Sequence, residues 1–315
     1  MGTTRQRKGD RYNLPERPGG CCAQIEPVPF SKPRPPYLRV MATFARNSLV
    51  RDMTFRGNFL IEMFSSMAWI FMNLGFYILV FQHAPQIGDV NNWGEYSFAW
   101  GKYEFFLFLS TTLIINSLVQ MLFMANASEF SEMIRTGTLD FALLKPIDTQ
   151  FLISLQRFQW SSAGNLLVGA GLAVYSLVQI GRVPTPWQVL LFVLFVACGV
   201  AIMYSLMIVL AATSIWLGRN QSLYNFWFYI TNFSRYPMEI YRGPFGMPLR
   251  LFFTFIIPVL VVVNVPARFL VRPLVPQTPM DVLLPLFTIA ATALSLLASR
   301  WVFNRSLLSY RSASS

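Results

Sequence analysis

Few residues of this chain are of the types that carry chemistry, and none stand at a spacing that makes a reactive site. There is one histidine, His83, and it falls in a polar connection between apolar segments, so a histidine metal site or proton relay is not expected. No Gly-x-x-x-x-Gly-Lys-Ser/Thr stretch occurs, so the chain lacks the loop that cradles nucleotide phosphates. Cys21 and Cys22 are adjacent and Cys198 lies in an apolar run, which makes neither a disulfide framework nor a zinc spacing. Glu62 is the only acid inside a clearly placed apolar segment, about one turn from its start. An acid there is a functional candidate by default. The plainer alternative is that Glu62 snorkels to water or pairs with Arg56 or Arg51. Catalytic, metal and cofactor residues are all expected to be none.

One polar segment, Ala127 to Asp148, has a patterned sequence instead. Ala127 to Arg135 reads as a short helix, with Glu129 and Glu132 early and Arg135 late, matching the helix dipole. Gly137 supplies a left-handed stop. Thr138 caps a second short helix running through Leu144, which Pro146 ends. Two short helices in an elbow would leave Phe141, Leu143 and Leu144 available to a partner. The other possibility is that the elbow packs only on its own chain.

The elements that position this elbow are membrane spans. Hydrophobic residues make up 54% of the chain and charged ones 12%, about half the share of a soluble domain. The charges are clustered, so Met63 to Gln82, Phe105 to Ser128, Phe158 to Gly181 and Val183 to Gly218 contain no Asp, Glu, Lys or Arg. A bilayer crossing takes roughly 20 apolar residues, and these segments are apolar all round. Spans are expected near Asn58 to Gln82, Phe105 to Asn126, Trp160 to Ile180, Trp187 to Trp216 and Val282 to Ser299. The connection from His83 to Glu104 holds Trp93, Tyr96, Trp100 and Tyr103, an interfacial aromatic cluster that suits an outside loop.

The net charge of +11 could suggest nucleic acid, but its placement argues otherwise. Residues 1–56 hold eleven Arg or Lys against Asp10, Glu16, Glu26 and Asp52, and basic residues before a first span mark the cytoplasmic side. Residues 1–36, rich in Pro, Gly and Arg, read as a disordered cytoplasmic tail. Residues 37–56 read as an interfacial helix with Met41, Phe44, Ala45, Leu49 and Met53 on one side, although Asp52 interrupts that face. A solvated basic linker is the alternative. The transmembrane domain covers 37–308, with the cytoplasmic loop at 127–149, and 309–315 forms a second cytoplasmic tail.

Between the fourth and last spans the sequence leaves two options. Gln221 to Ser234 is apolar but short; Leu251 to Ala267 is longer and contains Pro258 and Pro266. Even parity lets only one of them cross, and broken backbone exposed to lipid is not tolerated, so the other must dip back against protein. Keeping Arg235, Arg242 and Arg250 inside favours Leu251 to Ala267 as the fifth span.

The stretch Ile134-Arg-Thr-Gly-Thr-Leu-Asp-Phe-Ala-Leu-Leu-Lys-Pro-Ile147 resembles the cytoplasmic coupling loop of type 2 ABC exporter permeases. It most resembles a bacterial group of ABC transporter membrane subunits in which this loop reads Gly-x-Leu-Asp and then Leu-Lys/Arg-Pro. Phe233-Ser-Arg-Tyr-Pro237-Met-Glu-Ile-Tyr241, Ile257-Pro258 and Val265-Pro266-Ala267 add a looser similarity, and the resemblance covers about residues 40 to 308. It implies an all-α integral membrane fold of six transmembrane helices, with a re-entrant helical hairpin on the outer side before the last span. It therefore places Gln221 to Ser234 across the membrane and Gly246 to Arg268 as the hairpin, against the arginine count.

The resemblance further implies a permease that moves an unknown substrate across the bacterial inner (cytoplasmic) membrane. Its partners would be cytosolic ABC ATPase subunits, a second permease subunit, the same or a similar one, and membrane lipid, with no nucleic acid. ATP would be hydrolysed in the separate chain, so this chain is not itself an enzyme. The coupling residues it points to are Glu132, Arg135, Gly137, Leu139, Asp140, Leu144 and Pro146. A membrane-embedded lipid enzyme would need clustered carboxylates or histidines. A non-transporting membrane scaffold fits the absent chemistry but leaves the loop motif unexplained.

Overall fold

The computed structural model describes residues 36–88, 99–217, 221–241, 243–272 and 279–310. The expectations for the tail, for Cys21 and Cys22, for Trp93 and Tyr96, and for Arg242 lie outside those residues. Helix α1 (Tyr37–Thr54) breaks at Phe55 and gives way to α2 (Arg56–His83). Strands β1 (Gln86–Gly88) and β2 (Ala99–Gly101) pair antiparallel, with Ile87 opposite Trp100, and lead into α3 (Lys102–Val119). A π-helical turn, Gln120–Met124, carries α3 straight into α4 (Ala125–Thr136). The first elbow helix is thus the extension of the second span, where the sequence suggested a separate short helix. A five-residue π-turn keeps the helix axis continuous while shifting its register.

Helices α5 (Leu139–Leu143) and α6 (Thr149–Leu155) follow, then a 3-10 turn at Trp160–Ser162 and α7 (Ala163–Ile180). After Gly181 the chain enters α8 (Pro186–Leu217) and then α9 (Gln221–Asn232). Helix α10 (Gly243–Leu251) runs into a second π-turn, Phe252–Ile256. The chain then bends by 86° into α11 (Val259–Val271), and α12 (Pro279–Ser309) closes the fold. Among the described residues, five helices are long and apolar enough to cross a membrane, and the bent pair is the sixth candidate by composition.

The ends of that bent pair decide how it runs. Glu239, before it, forms an ion pair with Arg268 near its end, so both ends lie in one layer. A full crossing would separate them by the roughly 30 Å of a hydrocarbon core. The segment therefore dips in and returns. Helix α9 is the other apolar segment here: it starts after α8 beside α4 and ends at Asn232, and Arg235 in the turn that follows is within electrostatic reach of Tyr77. Twelve α-helical residues rise only about 18 Å, and the 3-10 turn Phe233–Arg235 continues the climb. At the hairpin end Arg268 and Arg272 are matched by Glu239 and Asp281.

The hairpin's returning arm is the centre of the bundle. Val259 to Ala267 on α11 are all buried, packed against α8 and α3. Close approach to α8 requires Gly199, where a Cβ would lie 2.9 Å from the Val262 carbonyl oxygen. Helix α2, by contrast, leaves Phe64, Trp69, Phe71, Met72 and Phe76 exposed. These are the side chains expected against lipid or another protein.

Candidate functional site: the elbow and its anchors

Gly137 has φ 73 and ψ 2, so α4 ends in the left-handed conformation that a glycine adopts without a Cβ penalty. Thr138 opens α5, but its side chain caps nothing. Its hydroxyl instead lies 2.9 Å from that of Thr136. The capping residue here is Asp148, whose Oδ1 accepts from the Phe151 amide at 3.0 Å and starts α6. Helix α6 was not anticipated, because Thr149 to Leu155 reads as apolar without a helical stripe.

Reversal at Gly137 folds α5 and α6 back on α4, and a small core fixes them. Leu139 is fully buried with Phe130, Leu152, Ile208 and Phe303, so the elbow is welded to α8 and α12. Leu139 therefore holds the elbow's shape from within. The surface is made by its neighbours: Phe141 is 69% exposed and Leu144 81%, with Pro146 exposed beside them. Glu132 and Arg135 form an exposed ion pair with each other one helical turn apart. Asp140 sits in the first turn of α5, and its charge, after burial, pushes the Tyr310 phenol above its usual range.

Three further contacts tie the elbow to the rest of the chain. Arg300 on α12 binds both carboxylate oxygens of Asp148, and its Nη1 also reaches Gln150 Oε1 at 3.0 Å. Gln150 and Ser154 in turn meet the Tyr204 hydroxyl at 3.1 and 2.9 Å, which links α6 to α8. On the other flank the segment Arg157 to Trp160 is a hub. The Arg157 amide donates to Asn126 Oδ1 at 2.8 Å, the Asn126 amide group donates to the Arg157 carbonyl at 2.7 Å, and the Gln159 amide donates to the Met121 carbonyl at 2.9 Å. A helix widened by a π-turn has backbone acceptors off register, and this segment takes one of them.

The same hub holds α1. The Phe158 amide donates to Ser48 Oγ at 3.0 Å, the Trp160 amide to Asp52 Oδ2 at 3.4 Å, and Trp160 Nε1 to the Ala45 carbonyl at 3.0 Å. Helix α1 is thus turned with Ser48 and Asp52 inward. The aspartate that interrupted its apolar stripe receives one backbone donor from the hub, the Trp160 amide. Leu49 and Met53, on the apolar side read from the sequence, are exposed with Leu38 and Val50. Glu62 pairs with neither arginine proposed for it. Gln159 donates to it, while Arg51 pairs with Asp52.

At the opposite end of the bundle the structure shows a buried charge network that sequence reasoning missed. Trp100 Nε1 donates to Glu239 Oε2 at 3.0 Å, the other carboxylate oxygen takes Arg268, and the Met238 amide donates to Asn264 Oδ1 at 3.0 Å. Asn264 and Arg268 are one turn apart on α11, so one face of that helix grips the Met238–Glu239 turn. A signal was present: Glu239 is the only acid between Asp148 and Asp281, a stretch with eight arginines. Among the described residues, no group of three or more His, Cys, Asp or Glu is placed to hold a metal ion.

Against known families, the model of the ABC-2 family transporter protein matches residues 67–314. No curated protein and no solved structure matches the chain.

Proposed function

The chain belongs to the ABC-2 family transporter proteins, and from that premise we propose that it is the permease subunit of an exporter driven by separate ATPase subunits. As a member of that family it is a multi-pass membrane permease of an ABC transporter. In the proposed cycle, ATP closes a dimer of cytosolic ATPases docked on the elbow. The movement passes through α4 into α3, and a path opens between this permease and a second copy or a similar chain. The basic helix α1 lies at the elbow end, which supports a reading in which that end faces the cytoplasm of a bacterial cell and the bundle sits in its inner membrane.

The observation that carries the reading is the contrast along the stretch from Leu139 to Leu144. Leu139 is fully buried and anchors the turn, while Phe141 and Leu144 project from it beside the Glu132–Arg135 pair. Apolar side chains held out on a rigid support, next to charges, mark a protein interaction surface. The sequence match to the coupling loop of such permeases falls on these residues.

Co-expression with a candidate ABC ATPase tests it. A tagged permease should retain the ATPase through purification, and Phe141→Asp with Leu144→Asp should lose at least tenfold of it at equal membrane expression. Full retention by the double variant would remove the elbow as the docking surface.

A further inference from the structure

We propose that Arg235 forms a binding site for an anionic head group, phosphate or carboxylate, carried by an amphiphile at the hairpin end of the bundle. Arg235 closes the 3-10 turn that follows α9. The chain on either side of it is locked: Ser234 is fully buried with its hydroxyl donating to the Thr231 carbonyl at 2.6 Å, and Met238 and Glu239 are buried and bound to α11. Arg235 and Tyr236 are left projecting from this fixed turn.

The guanidinium carbon lies 5.4 Å from the centroid of the Phe228 ring, and the phenols of Tyr77 and Tyr236 are within electrostatic reach. Arg268 and Arg272, in the same end of the bundle, are each matched to a carboxylate. Arg235 is half-buried, and among the described residues no carboxylate pairs with it. Aromatic contact covers one face of a guanidinium but uses none of its five N–H donors. Its planar fork fits a phosphate or carboxylate edge-on.

The walls give the rest of the ligand's chemistry. Phe228 and Tyr229 on α9 are 43% and 66% exposed, and Tyr236, after the turn, is 44% exposed. A free inorganic anion would leave this apolar strip unused, whereas an amphiphile covers it with its chain while its head meets Arg235.

The test uses the purified full chain in phosphatidylcholine nanodiscs without any ATPase, so it does not depend on the docking proposal. Phosphatidylglycerol is added in increasing fraction and the bound copies are counted by native mass spectrometry. Wild type should retain it, Arg235→Gln should bind at least fivefold more weakly, and Arg235→Lys should fall between, because charge remains but the fork is lost. Arg305→Gln, exposed at the other end, should match wild type. In a second arm inorganic phosphate is titrated: displacement of the lipid identifies a general anion site, and no displacement identifies one that needs the apolar tail. Equal retention by wild type and Arg235→Gln would overturn the proposal, as would a wild type that does not prefer phosphatidylglycerol to phosphatidylcholine. Should Arg235→Gln not fold, wild-type affinity in Arg235→Lys would overturn it equally.

Discussion

Asp148 and Arg300, 152 residues apart, bind through both carboxylate oxygens, one at 2.9 Å from Arg300 Nη1. The same carboxylate caps α6. The elbow's exit is therefore fastened to the last span, while its entrance is continuous with the second.

Hydrogen bonding from Arg300 holds the Asp148 carboxyl below its ordinary range, outweighing its partial burial. A depressed folded pKa means that the contribution is complete above the unfolded value, about 4, and is lost as pH falls through the lower folded value. Both side chains are partly exposed, so the pair is worth at most about 1 kcal/mol. Thermal unfolding in detergent at pH 7 should show Asp148→Asn less stable than wild type. That gap should narrow as the pH is taken below 4. A gap that widens toward acid would contradict the assignment.

At the hairpin end, Glu239 and Arg268 are buried enough for the loss of one partner to be severe. Removing one member of a buried pair costs about 3–5 kcal/mol because the other charge stays uncompensated. Arg268→Met should sharply lower the unfolding temperature, and Glu239→Gln with Arg268→Met should recover part of it. Trp100→Phe, which deletes one donor to Glu239, should cost about 1–3 kcal/mol. If the double variant is as unstable as Arg268→Met alone, the two side chains do not act as a pair.

How much of this was legible in the sequence depends on the range of the interaction. The long apolar runs, the Gly137 stop and the exposed residues of α5 are local features, and they lie where the pattern put them. The π-turn at Gln120–Met124 was not legible, because its partner is the Gln159 backbone, distant in sequence. Asp52 looked like a flaw in an amphipathic helix and instead receives the Trp160 amide from the hub. The fifth crossing could not be settled from composition, since α9 is shorter than a standard span and the longer candidate is folded on itself. Only the contact between Glu239 and Arg268 shows that the latter returns.

That re-entrant course has a direct check. Phe245 on α10 is 87% exposed, close to the hairpin's outer mouth. An impermeant thiol reagent should label Phe245→Cys in intact cells. Labelling only after permeabilisation would place the segment inside and restore Leu251 to Ala267 as the fifth span.

The central claim is that the elbow transmits movement between the ATPase and the spans, and its geometry rests on Gly137. At φ 73 a β-branched side chain meets the backbone, at a cost of about 1–2 kcal/mol, and the reversal into α5 is disfavoured. The flanking spans are untouched, so Gly137→Val should reach the membrane at wild-type level. The deciding measurement is ATPase copurification with substrate-stimulated ATP hydrolysis for Gly137→Val and wild type at matched expression. The account predicts a loss of at least tenfold in coupled hydrolysis with weakened copurification, whereas normal copurification and full hydrolysis in Gly137→Val would contradict it.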